Sequence, residues 1–280
     1  MKTEFLERMQ YIVREGGRIA LQYIDDSSPS FKPDQSILTK ADQAISELTH
    51  QVLADFLNHK EHILIDEEDE NRSRYLKQSL LASTPYIWAV DPIDGTRAYA
   101  NRMPHFGISV GVIKDLKPWL GMVYFPVLKE LFYCDGEFSY FIQNAFLSNE
   151  KKSLIKPFDE EITSRSIFFF NDTFSQHFSW DYKDCHLMIP ACAVVDLLWP
   201  TINRGCGTIT KCYLWDFAGA WPIIHAAGLN LRSFESGKIL DHLDIDLLTI
   251  ERTPWKIKDY YILSSERNFS ILKGKIKWQG

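Results

Sequence analysis

Two short apolar runs that each stop on acid constrain this chain more than any other feature. His62 to Ile65 runs into Asp66-Glu67-Glu68-Asp69-Glu70, and Tyr86 to Val90 runs into Asp91-Pro92-Ile93-Asp94-Gly95-Thr96. Short apolar runs bounded by polar clusters read as buried strands. In open α/β sheets, ligands bind beyond the carboxyl ends of the strands, which is where Glu67 and Asp91 would emerge. Pro92 fixes φ and removes a donor, and Gly95 permits positive φ or close backbone approach. Across such a turn, Asp91 and Asp94 can converge on one point, and convergent hard oxygen ligands suit Mg²⁺ or Mn²⁺. A third acid, Asp216, stands at the expected N-cap of a helix over about 216–227. Taken singly, Asp216 is a capping residue contributing roughly 1 kcal/mol, the 66–70 run is a solvated face, and Asp-Pro-x-Asp-Gly is a polar turn.

The remaining pattern supports a mixed fold. Phe5, Leu6, Met9, Ile12, Val13, Ile19 and Ala20 recur at helical spacing with charges between them, which describes an amphipathic helix and not a signal peptide. A second helix is expected over about 41–58, after a Ser/Pro/Asp-rich loop at 25–35. A polar helix follows the acid run. Strands are expected at Phe106 to Ile113 and Trp119 to Phe125, joined by a turn at Asp115 to Pro118. The pattern turns polar near residue 146, dividing the chain into an N-terminal α+β domain (1–146) and a C-terminal α/β domain (147–280). The second domain should hold strands at Ser166 to Phe170, His186 to Ile189, Leu229 to Ser233 and Tyr260 to Leu263. Helices are expected at about 191–203 and 216–227, with a terminal strand at 271–278. Alternation of this kind predicts helices covering a sheet.

Composition narrows the function classes. Lys and Arg number 31 against 37 Asp and Glu, a formal charge of -6, whereas grip on nucleic-acid backbone asks for positive charge. A phosphorylated small substrate is compatible with this charge, because bound metal ions supply positive charge locally. Five cysteines without a Cys-x-x-Cys spacing speak against a zinc site or a disulfide framework, and read as reduced, buried thiols. No run reaches the roughly 20 apolar residues of a membrane span. A cytoplasmic protein with no nucleic-acid or membrane partner is expected.

Four motifs together resemble the inositol monophosphatase family. Trp88-Ala89-Val90-Asp91-Pro92-Ile93-Asp94-Gly95-Thr96 resembles its first signature and Trp215-Asp216-Phe217-Ala218-Gly219 its second. Ile65-Asp66-Glu67-Glu68 is similar to its Gly-Glu-Glu element, and Thr39-Lys40-Ala41-Asp42 to its Thr-x-x-Asp element. The resemblance covers roughly residues 1–235. It implies an α/β (α+β) fold, a layered αβαβα sandwich of the sugar phosphatase type, in a family that includes inositol monophosphatases, fructose-1,6-bisphosphatases and 3′(2′),5′-bisphosphate nucleotidases.

The resemblance also implies a site. Glu67, Asp91 and the backbone carbonyl of Ile93 would hold one Mg²⁺. Asp91, Asp94 and Asp216 would hold a second, and Glu68 would hold a third, outer ion through water, with Mn²⁺ as a possible replacement. Thr96 and Asp42 would form a dyad that, with Glu67, orients and deprotonates the attacking water. Backbone N–H groups of Gly95 and Thr96 would bind phosphate oxygens, while Ala191, Cys192 and Asp216 would line the substrate pocket. Lys32 matches a mobile-loop lysine. Lithium sensitivity and a homodimer are further implications. The expected reaction is hydrolysis of a small phosphate monoester, inositol monophosphate first, with a 3′(2′),5′-bisphosphate nucleotide as the alternative and a catalytically silent relative as the weakest reading.

Several positions depart from the family pattern. Asp66 replaces glycine, placing an extra carboxylate beside the metals or toward solvent. Ala191-Cys192-Ala193-Val194 replaces Gly-Ser/Thr-Ala-Ala and removes a hydroxyl. Ile209 falls where inositol-selective members carry a glutamate. Pro222, beside Trp221, should bend the helix after Asp216, either repacking the core or reshaping the leaving-group pocket.

Overall fold

The computed structural model describes residues 2–26, 30–32, 37–157, 159–171, 173–181 and 185–279. One sheet takes its strands in chain order: His62–Asp66 (β1), Tyr86–Asp94 (β2), Gly107–Lys114 (β3), Lys117–Phe125 (β4), Glu130–Cys134 (β5), Ser139–Gln143 (β6) and Lys151–Leu154 (β7). β1 and β2 are parallel and all later neighbours antiparallel. The parallel pair needs a crossover. The 3₁₀ turn Arg72–Tyr75 and the helix Gln78–Ser83 supply it, in the segment expected to be one polar helix. The sheet continues beyond residue 146, where the composition turns polar.

A second sheet holds Ile167–Phe170 (β8), His186–Met188 (β9), Gly207–Thr210 (β10), Asn230–Ser233 (β11) and Tyr261–Ser264 (β12), in the spatial order β9-β8-β10-β12-β11. Four of these match the sequence expectation to within a residue or so. β10 does not announce itself, because Gly207-Thr208-Ile209-Thr210 carries a single large apolar side chain.

Five layers result. Helices α1 (Lys2–Tyr23) and α2 (Lys40–Leu57) cover one face of the first sheet, where Phe5, Met9, Ile12 and Ile45 pack with Trp88, Val90, Ile108 and Val110. On its other face, Ile87, Ala89, Val123 and Phe125 share a core with Val195, Phe217, Trp221 and Ile224 from the middle helices. Leu231 and Leu263 close that core from the second sheet. Phe168, Phe170, Ile209 and Ile262 form the outer core of the second sheet with Leu272 of the last helix. This is the αβαβα sandwich expected from the resemblance.

Several expected elements differ in detail. The tail is not a strand over 271–278: Glu266–Lys275 is a helix and only Ile276–Trp278 is extended. Ser265 caps that helix by accepting from the Asn268 N–H, so its first turn outweighs the alternation of Lys and apolar residues. The 191–203 helix is Ala193–Leu198 followed by a 3₁₀ turn at Trp199–Ile202. The 216–227 helix is two pieces, Leu214–Ala218 and Trp221–Ala226. Pro222 lies in the first turn of the second piece, where its missing N–H costs nothing. The break is seated on glycine: Gly111 and Gly121 pair across β3 and β4. A Cβ at Gly111 would strike the backbone at Ala218, and one at Gly121 the backbone at Gly219. Pro222 and Trp221 therefore belong to the core and not to a substrate pocket.

Candidate active site

The site begins with a fault in β2. Asp91 pairs with Ser109 and Asp94 with Gly107, so three residue steps on β2 face two on β3. In a regular strand, residues three apart point to opposite faces. The extra residue of this bulge restores the parity and turns both carboxylates toward one side. That side is the middle helical layer, since the Ser109 hydroxyl donates to the Trp215 carbonyl at 3.4 Å. There Asp216 meets them: single carboxylate oxygens of Asp91, Asp94 and Asp216 all lie within 4.8 Å of one another. Asp216 is not the N-cap. It sits a full turn in, at the third helical position, and its Oδ2 accepts from the Tyr213 N–H at 2.8 Å.

Gly95 follows at φ +84°, where a Cβ would collide with Cys192 and the His105 carbonyl. Its glycine is a steric requirement of the turn. The short helix Thr96–Ala100 starts immediately after it. Across the cavity, Asp94 Oδ2 accepts from the Val194 N–H at 3.3 Å and the Cys192 thiol donates to the Asp94 carbonyl at 3.6 Å. Ala191 takes φ +60°, a conformation that favours glycine, which the family pattern has there. A cavity of about 300 Å³ opens over these groups. Its lining takes in Glu67, Asp91, Ile93, Asp94, Gly95, Thr96, Ala191, Cys192 and Asp216, so these predicted residues come together.

Other predicted residues stand differently. Glu67 is outside the three-aspartate cluster: its carboxylate lies 3.1 Å from the Lys32 ammonium, and Glu68 lies 2.7 Å from the same group. Asp42 and Thr96 make no hydrogen bond to each other among the described residues. Asp42 Oδ2 accepts from the Thr39 N–H at 2.8 Å and the Thr39 hydroxyl at 2.5 Å. The Thr96 hydroxyl donates to the Ile93 carbonyl at 3.0 Å. Asp66 neither joins the cluster nor points to solvent. It is fully buried, accepting from the Ser46 hydroxyl and the Glu68 N–H at 2.8 Å each, and so shapes the loop that carries Glu67. Ile209 does not reach the cavity. Strand alternation turns it into the outer core, and Thr210 and Lys211 line the cavity instead.

The electrostatics ask for a cation. Burial first, then Glu67, Asp94 and Asp216, push Asp91 far above the carboxylate range. Burial, then Asp94 and Glu67, do the same to Asp216. Asp94 is raised to about 7, chiefly by burial and despite hydrogen bonds from Cys192 and Val194. Burial also raises Asp42 to about 7 and Glu68 to about 8, the latter with help from Glu67 and against Lys32. For Lys32, burial works against the charge, but Glu67 and Glu68 outweigh it and hold the ammonium protonated. The buried oxygens Asp42 Oδ1, Asp91 Oδ1 and Asp94 Oδ1 have no hydrogen-bond partner among the described residues. Those of Asp91 and Asp94, converging with Asp216, fit a hard divalent ion.

Sequence reasoning missed the opposite wall. Asn171, Thr173, Lys211, Tyr213 and Lys256 all line the cavity. Lys256 arrives by an antiparallel bridge to Tyr213, a pairing that no spacing in the chain signals.

A model of the inositol monophosphatase family matches residues 6–264. The chain belongs to the inositol monophosphatase family. Members of the family are phosphatases acting on phosphate monoesters. The 3′(2′),5′-bisphosphate nucleotidase CysQ of Salmonella typhimurium is 31% identical over 137 residues, covering 46% of this chain and 50% of that protein. Inositol monophosphatase 3 of Solanum lycopersicum is 25% identical over 182 residues, covering 62% of this chain and 66% of that protein. The chain thus spans about half to two thirds of the length of these relatives. Among solved structures, an IMPase/NADP phosphatase complexed with NADP and Ca²⁺ superposes with a TM-score of 0.75 at 19% identity, covering 98% of this chain and 95% of that one. The Thermotoga maritima IMPase gives 0.70 at 18% identity, covering 96% and 95%. At such identities the likeness establishes the fold. No helix among the described residues is long and apolar enough to cross a membrane.

Proposed function

We propose that this chain hydrolyses a small phosphate monoester with the help of Mg²⁺, or Mn²⁺ in its place. The observation that carries the reading is the convergence of Asp91, Asp94 and Asp216, with buried Oδ1 atoms on Asp91 and Asp94 that have no hydrogen-bond partner among the described residues. These three would hold one ion, and Glu67, Asp91 and the Ile93 carbonyl another, with Glu68 reserved for an outer one. Bound divalent ions at such a site neutralise phosphoryl charge and stabilise the leaving oxygen.

The chain's own residues do the rest. Gly95 and Thr96 present backbone N–H groups to phosphate oxygens, where the left-handed turn at Gly95 frees them. Lys32 positions the Glu67 carboxylate, which takes the proton of the attacking water. In the proposed dyad, the Thr96 hydroxyl turns from the Ile93 carbonyl toward the unpartnered Asp42 Oδ1 and helps orient that water. Cys192, its thiol pushed up by burial and by Asp94, is a spacer and not a nucleophile.

The inositol monophosphatase-like activity is the first assignment. Two relatives named for bisphosphate nucleotidase activity support a nucleotide bisphosphate as the alternative. Lithium inhibition and a homodimer complete the reading on the strength of the family, whereas a cytoplasmic location and a division into domains 1–146 and 147–280 rest on the sequence pattern, with β7 carrying the first sheet across that division. The test is phosphate release from inositol 1-phosphate, adenosine 3′,5′-bisphosphate, fructose 1,6-bisphosphate and β-glycerophosphate, with Mg²⁺ and with chelator. Chelator-sensitive release from any of them supports the assignment. Silence on all four, from folded protein with Mg²⁺, overturns it.

A further inference from the structure

The loop that carries Glu67 and Glu68 is pinned at both ends by residues that do not line the cavity. At its start, the Asp66 side chain turns back on the loop. Its Oδ1 accepts from the Glu68 N–H, two residues on, and its Oδ2 from the Ser46 hydroxyl, each at 2.8 Å. The first bond makes an Asx-turn, which the glycine of the family pattern has no side chain to form. The second ties that turn to α2. Asp42, Ser46 and His50 recur every fourth residue along α2 and so share one face. His50 Nε2 stands 3.8 Å from Asp66 Oδ2. The helix that carries Asp42 thus also anchors the start of the loop.

Arg72 holds the far end. Two turns lead to it: the Asp69 N–H donates to the Asp66 carbonyl at 3.2 Å, and the Arg72 N–H to the Asp69 carbonyl at 3.0 Å. The Arg72 side chain folds back on that same carbonyl, with Nη1 at 2.9 Å, and its Cζ lies 4.9 Å from the centroid of the Trp215 ring. A guanidinium stacks well on an indole face. Trp215 lines the cavity and adjoins Asp216 on the helix Leu214–Ala218. One pin therefore reaches the helix of Asp42 and the other the helix of Asp216, while Glu67 and Glu68 stand between them.

Resting on the divalent-ion reading above, we propose that Asp66 and Arg72 are positioning residues. They fix the Glu67–Glu68 loop against Asp91, Asp94 and Asp216 and so set the affinity of the site for its ions, as groups behind a ligand shell do. Charge and geometry make opposite predictions here. Arg72 is a cation beside an acidic site, so its charge alone would weaken cation binding and its removal would tighten it. Removal of a pin loosens the loop and weakens binding. At Asp66, asparagine drops the charge but keeps an acceptor for the Glu68 N–H and an amide for the Ser46 hydroxyl.

Calorimetric titration of Mn²⁺ into wild-type, D66A, D66N, S46A and R72M proteins tests this without substrate, with circular dichroism to confirm folding. D66A and R72M should each raise the Kd about tenfold or more, and D66N should stay within about threefold of wild type. S46A, which spares the Asx-turn, should fall between D66N and D66A. If D66A does not fold, D66N, S46A and R72M carry the test. An R72M protein that binds Mn²⁺ as tightly as wild type or more tightly overturns the proposal. So does a D66N protein weakened tenfold, because Asp66 would then act by charge. Phosphate release from the four esters is measured on the same samples. The predicted Kd shifts without hydrolysis of any ester would sink the phosphomonoesterase reading and sustain the two pins, whereas hydrolysis with unshifted Kd values would do the reverse.

Discussion

The two walls of the cavity are built by different means. The acidic wall is mostly local: Glu67 follows β1, Asp91 and Asp94 close the neighbouring β2 where a single bulge aims both, and Asp216 joins them from the helix Leu214–Ala218. The basic wall is assembled from afar, with Lys211 at the end of β10 and Lys256 brought to Tyr213 by a bridge between distant segments. Chemistry common to a family can be kept in short contiguous motifs. The opposite wall depends instead on residues whose neighbours are set only by the folded sheet.

The sharpest way to break this contrast is to disable the acidic wall. Asp94→Asn or Asp216→Asn should lower kcat by about a thousandfold or more, since phosphoryl transfer relies almost wholly on charge neutralisation and positioning. Circular dichroism should show the fold retained. Turnover within tenfold of wild type would contradict the assignment.

The turn between the walls is next. Gly95→Ala forces a side chain into φ +84° and against Cys192 and the His105 carbonyl. The conformation alone costs about 1–3 kcal/mol, so urea unfolding should shift by at least that much. An unchanged midpoint would mean the turn tolerates a Cβ and the amide cradle is looser than described.

A third test uses protons. Asp42 and Asp94 rise from 3.8 to about 7 in the folded chain. A raised carboxyl stabilises the fold below its unfolded pKa, and that stabilisation is lost as pH climbs through the folded value. With chelator present, the Tm should therefore fall between about pH 4 and pH 7, and added Mg²⁺ should restore most of the loss. A flat profile, or one unmoved by Mg²⁺, would argue that the acids are neutralised some other way.

The smallest effect sharpens the comparison at the rim. Ala191 holds φ +60°, so Ala191→Gly should relieve strain of about 1 kcal/mol, partly offset by added freedom in the unfolded chain. A net gain of a few tenths of a kcal/mol in urea unfolding is expected. A clear loss would show that the methyl group packs usefully there.

Much of this was legible before the structure. The strands ending on acid, the helices of the first layer and the turn after Val90 follow from runs, periodicity and Gly/Pro chemistry. The bulge was not legible, yet it alone explains why residues three apart share a face. Asp66 read as an extra metal-side or solvent carboxylate because sequence does not show that Ser46 and the Glu68 N–H wait to bind it. The continuous helix after Asp216 failed for a packing reason: Gly111 and Gly121 let the chain approach the sheet so closely that the helix stops and restarts at Pro222. Ile209 stands at a family position for a substrate-facing glutamate, whereas strand parity sends it to the outer core and turns Thr210 toward the cavity.

The central claim is that Asp91, Asp94 and Asp216 together hold a divalent ion. Calorimetric titration of Mn²⁺ into wild-type, D94N and D216N proteins tests it most directly, without reference to any substrate. Saturable binding by the wild-type chain, weakened at least tenfold in both variants, is the predicted result. Equal binding by all three, or none by the folded wild-type chain, would contradict it.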